Sequence, residues 1–132
     1  MHFLAQAGAM KIATIIVRIL LGVLFAVLGS NPFLHFIPMP PMSGPAGDFI
    51  GAMNVTGYLM GVGACQVIGG VLLIVGRFVP LGLVFIGPVI VNIVLYHICM
   101  DHSGIGLAAV VSILFLFLLW AYRSAFTPLF RP

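Results

Sequence analysis

Charge is what this sequence has least of. Only 5% of its 132 residues are charged, and the acids number two, Asp48 and Asp101. A soluble domain carries roughly 25% charged residues, so water is excluded as the solvent for most of the chain. Cysteine is also scarce: Cys65 and Cys99 lie in apolar surroundings with no C-x-x-C spacing. That argues against a disulfide framework or a cysteine-ligated cluster. Catalytic groupings are missing as well. The sequence has no Ser/His/Asp constellation, no pair of acids at useful depth and no glycine-rich phosphate loop beside a strand. The middles of its last three apolar runs hold no ionisable residue, so acid–base chemistry inside a membrane has no evident agent.

What is present is apolar: 63% of residues are hydrophobic and the mean hydropathy is +1.32. Several runs exceed the roughly 18 apolar residues that cross a hydrocarbon core of about 30 Å. The fold class read from this is all-α, a polytopic membrane protein forming one four-transmembrane-helix bundle over residues 1–132. Spans are expected at about 12–34, 57–75, 80–100 and 105–122, with an outer loop at 35–56. Gly76 can end the second span and Pro80 begin the third, which makes their connection a tight hairpin. Lys11 followed by an apolar run has the shape of a secretory signal, but no A-x-A-like site follows, so the first run is expected to remain a span. No convincing internal repeat is present.

On this map Lys11, Arg18, Arg77, Arg123 and Arg131 all fall on one side. The positive-inside rule makes that side cytoplasmic, with the N and C termini both inside a cell inner (cytoplasmic) membrane. The formal net charge of +3 then reflects orientation. Nucleic-acid binding, which needs clustered Lys and Arg on an exposed face, is not expected. Trp120 and Tyr122 beside Arg123 fit an interfacial aromatic belt. Arg18 reads as an anchor that snorkels to the same interface, or as a contact for a headgroup or carboxylate.

The other side receives the stretch NPFLHFIPMPPMSGPAGDFIGAMN, with its five prolines, and the MDHSG turn. Proline lacks the donor that a helix requires, so these prolines stop the first span and keep FIPMPPM from crossing. The apolar residues among them suggest a segment lying on the bundle mouth. PAGDFIGAMN then reads as a short interfacial helix with Pro45 in its first turn.

Polar side chains within the spans are the default candidates for function. At 1.5 Å rise per residue, Gln66 lies roughly 15 Å and Asn92 roughly 18 Å from the cytoplasmic ends of their helices. The plainer expectation is that the two amides satisfy one another, and the alternative is a polar pocket at mid-depth. Pro88, Asn92 and Tyr96 share one face at i, i+4 spacing, and Cys99 continues it outward. Gly57, Gly61, Cys65 and Gly69 form a small-xxx-small run that reads as a packing face, while Gly69 and Gly70 can also leave room for a flat ligand beside Gln66. His35, His97, His102 and Asp101 share the outer half, yet none has zinc-motif spacing, so no metal site is expected. The candidate cofactor-binding residues are Gln66, Asn92, Tyr96 and His97. A quinone suits the amides and the phenol, and a tetrapyrrole ligated by His97 is the weaker option.

KIATIIVRILLGVLFAVLGSNPFLHF, GGVLLIVGRFVPLGLV and the four-span plan resemble the DoxX-like membrane protein family, over nearly the whole chain from Lys11 to Phe130. The resemblance implies a four-helix integral membrane protein, with relatives that include a subunit of a thiosulfate:quinone oxidoreductase and proteins of membrane redox assemblies. Family members often carry Lys after the position of Asn31 and an acid at that of Gln66, whereas this chain has Pro32 and Gln66.

Three functions stay open on this reading. The first is a noncatalytic accessory or structural subunit of a membrane electron-transfer complex, surrounded by the lipid bilayer and other membrane subunits. The second is a quinone-linked oxidoreductase or quinone-binding subunit. The third is a small-molecule transporter, for which a kink at Pro88 is the one positive sign.

Overall fold

The computed structural model describes residues 2–132. Five α-helices follow one another: α1 (His2–Leu34), α2 (Gly44–Val55), α3 (Tyr58–Val75), α4 (Val79–Cys99) and α5 (Ile105–Ala121). Four of them, α1, α3, α4 and α5, are long and apolar enough to cross a membrane, and only 17–33% of each span is buried within the protein. Many large apolar side chains, among them Ile16, Leu20, Val84, Val91, Ile113 and Leu116, are instead exposed, as a lipid solvent permits and water does not. The 18 residues of α3 reach roughly 27 Å at 1.5 Å each, close to the thickness of a hydrocarbon core.

The four long helices form a ring in which α1 packs on α3 and α5, and α4 packs on α3 and α5. Each neighbour runs antiparallel to the next. Leu21, Phe25, Leu73, Leu83, Ile86 and Leu118 fill the centre with almost no exposure, and no polar or charged side chain is buried among the described residues.

Glycine sets the α1–α3 seam. A Cβ added to Gly70 would lie 2.6 Å from the Gly22 carbonyl oxygen and 2.7 Å from the Ala26 nitrogen. One added to Gly29 would lie 2.7 Å from the Gly63 carbonyl oxygen. Two glycines on each helix, seven residues apart, thus let the backbones touch. This corrects the expected stripe: Gly57 and Gly61 have nothing within 4 Å of an added Cβ. Gly69 and Gly70 serve packing, the former against Ile86 and Gly82 and the latter against α1, and the alternative of room for a flat ligand beside them is closed.

Helix ends follow local chemistry. Gly76 closes α3 in the left-handed conformation, φ 77°, and its N–H donates to the Leu72 carbonyl. At the other end of the bundle α1 contains Pro32 in its last turn, and His35 turns left-handed with φ 54°. The Asn31 side chain then exchanges two hydrogen bonds with Ile37, accepting from its N–H at 2.7 Å and donating to its carbonyl at 3.2 Å. That amide imitates a backbone pair and fixes the direction in which the proline-rich segment leaves. After it, α2 begins with Pro45 in its first turn and has no buried residue.

Helix α1 starts ten residues before the expected Ile12, because no proline occurs between His2 and Lys11 and the Ala, Leu, Met and Gln there outweigh the single Gly8. Its antiparallel register with α3 places Arg18 level with the end of α3, where the guanidinium carbon would lie 2.8 Å from a Cβ on Gly76. Arg77 follows in the hairpin, and Arg123 follows α5. At the opposite end Asp101 starts a short 3-10 turn, His102–Gly104.

Candidate functional site

The four candidate residues line one groove. It lies between α2, α3 and α4, holds about 1140 Å³, and is bounded by Gln66 of α3 together with Asn92, Tyr96 and His97 of α4. Leu81, Val84 and Phe85 continue it along α4, and Phe49, Ile50 and Met53 of α2 roof its outer end. Phe49 reaches across to Tyr96, with ring centroids 6.0 Å apart. Cys65 also lines the groove, whereas Cys99, expected to extend the stripe, lies outside it.

The amides do not pair with each other. Asn92 is exposed and its Nδ2 donates to the Pro88 carbonyl on its own helix at 2.9 Å. The mutual bond expected between Gln66 and Asn92 is absent among the described residues, because the Asn92 rotamer turns back along α4. Gln66 is half-buried and its amide makes no hydrogen bond within the described protein. The amide opens onto the groove with its donors and acceptor free for a ligand. Helix α4 runs unbroken through Pro88 from Val79 to Cys99.

A second cavity of about 320 Å³ lies inside the ring, in its outer half, lined by residues of all four spans including Phe25, Asn31, Gln66, His97 and Val111. Met39, from the proline-rich segment, forms part of its wall. Sequence reasoning passed over Asn31 and Met39 here. Their only signal was position, an amide at the end of a span and an apolar residue among prolines.

His97 is the only histidine of the described chain that is not exposed. Its Nδ1 is 2.9 Å from the Asp101 carbonyl oxygen, and its ring stands edge-on to Tyr96 at 5.0 Å. Gly104 packs directly on the imidazole, so closely that a Cβ there would overlap the ring. Asp101 faces the surface instead. The Ser103 hydroxyl donates to its carboxylate at 2.6 Å and the Ser103 N–H at 3.1 Å. The side-chain bond first, then the backbone bond, hold its carboxyl below the usual range. No group of three or more His, Cys, Asp or Glu that could hold a metal occurs among the described residues.

The fold is that of a multi-pass helical membrane protein, with four helices long and apolar enough to span and a groove on the outside of α3 and α4 beneath α2. The chain is similar to YwoB of Bacillus subtilis (strain 168), itself described as uncharacterized, with 36% identity over 86 residues. That match takes in 65% of this chain and 54% of the other, so the chain spans about half the length of the curated relative it matches. No family profile matches the chain. No solved structure matches it either.

Proposed function

We propose that this protein is a noncatalytic membrane subunit that binds a lipophile with a hydrogen-bonding head, of the prenylquinone class in either redox state, in the groove between α2, α3 and α4. The observation that carries this is the Gln66 amide, unpartnered and opening onto a groove whose other walls are largely apolar. Asn92 keeps its Oδ1 and one N–H free, and the Tyr96 hydroxyl can donate or accept, so three neutral groups can orient a ring bearing oxygens. Leu81, Val84 and Phe85 offer an apolar track for a prenyl tail. The volume of about 1140 Å³ is slightly above the roughly 300–1,000 Å³ of ligand sites, which suits a head with part of its tail.

The resemblance to DoxX-like proteins supports the same reading, since relatives there serve quinone-linked assemblies. The replacement of that family's acid by Gln66 changes the chemistry: an amide orients a ligand but does not carry its proton. A role beside other subunits of an electron-transfer complex therefore fits better than catalysis by this chain alone. In this account the end bearing Arg18, Arg77 and Arg123 faces the cytoplasm, following the distribution of cations.

Equilibrium binding of a short-chain prenylquinone to the full chain in nanodiscs tests the site. Gln66→Leu is expected to weaken binding about tenfold, as loss of one hydrogen bond in a dry site does. Asn92→Leu and Tyr96→Phe are expected to have smaller effects. Unchanged affinity in all three variants would remove the groove from consideration.

A further inference from the structure

The groove and the inner chamber share a wall. Leu59, Gln66, Ile93 and His97 line both, so the two polar members stand between the lipid side of α3 and α4 and the interior of the ring. The hydrogen-bonding sense of that wall is dictated by the backbone. The Asp101 carbonyl can only accept, so a neutral His97 must carry its proton on Nδ1 to make the 2.9 Å bond. Nε2 is then a lone-pair acceptor, and it has no partner within the described protein. Gly104 packs on the imidazole, and the Tyr96 ring stands 5.0 Å from it at 81°. Asn92 adds to the imbalance, since one of its N–H groups is already given to Pro88.

A head bearing only carbonyl oxygens would set acceptor against acceptor at Nε2. A hydroxyl satisfies it. We infer that the site selects a lipophile whose head carries a hydroxyl donor, a hydroquinone, phenol or prenol, with that hydroxyl between His97 and Gln66 and the tail in the groove. The inference rests on the function proposed above and narrows its ligand: of two redox forms with the same skeleton, the reduced one is the better fit.

Wild-type protein in nanodiscs, titrated anaerobically with a decyl-substituted benzoquinone and with its hydroquinone, separates the two claims. The hydroquinone is expected to bind about tenfold tighter, the ratio that corresponds to one added hydrogen bond. In His97→Phe the preference for the hydroquinone should be lost and the two forms should bind alike. Nitrogen NMR of labelled histidine gives a readout that needs no variant: the Nδ1–H tautomer should be seen for His97, and its Nε2 signal should move with hydroquinone but not with quinone. Equal affinity for both forms, or a Nε2–H tautomer, overturns the hydroxyl selection and leaves the groove site standing. Binding of neither form overturns both.

Discussion

Asp101 has its carboxylate held by two hydrogen bonds from Ser103, and this fixes the sign of its pH response. Its folded value lies below the ordinary one. The turn is therefore stabilised above the unfolded carboxylate value, about 3.9, and loses that support as pH falls through the lowered folded value. Ser103→Ala should raise the Asp101 titration midpoint towards the ordinary range, which carbon NMR of the carboxyl would report. At this scale the sequence singled out polar residues that the fold brings to one groove, but not their partners. Gln66, Asn92, Tyr96 and His97 stand out because hydrocarbon penalises polar atoms, and the i, i+4 spacing of Pro88, Asn92 and Tyr96 puts these three on the groove wall, though not Cys99. Spacing does not give a rotamer, so the i−4 bond from Asn92 to Pro88 was not legible, nor was the Asn31 clasp on Ile37. Both depend on where a short amide can find a nearby backbone group.

Among the elements, the α1–α3 pair shows how a pattern can be visible and still be assigned to the wrong face. Helix α3 has enough small residues to offer two stripes, and the four-residue repeat from Gly57 to Gly69 is the more regular. The partner chooses instead the pair Gly63 and Gly70, which match Gly29 and Gly22 in an antiparallel register. A single helix sequence cannot announce that choice, because it depends on where the glycines of the neighbour fall. Gly70→Val should destabilise the bundle by at least the roughly 1–3 kcal/mol typical of overpacking, since the added atoms meet backbone that cannot yield. Gly61→Ala, with open space around it, should be near neutral, and the two can be compared by unfolding in mixed detergent micelles. Helix ends were more legible than helix faces. Gly76, Pro80 and the proline-rich segment punctuate the chain directly, whereas the start of α1 carries no stop or capping signal and was placed too late.

For the molecule as a whole, the scarcity of charge and the length of the apolar runs were enough to specify four antiparallel helices, because a hydrocarbon solvent leaves few alternatives. The groove was not readable in that way. It exists because α2 folds back over the α3–α4 face and because Asn92 and Gln66 leave each other free, both outcomes of three-dimensional packing. The central claim is that this groove opens to lipid, and Cys65 reports on it directly, being half-buried on the groove wall. A spin label on Cys65, in a Cys99→Ala background reconstituted into bilayers, should collide with oxygen dissolved in the membrane and be shielded from a water-soluble nickel chelate. Ready access of the nickel chelate, with little response to oxygen, would show the groove facing water and contradict the account.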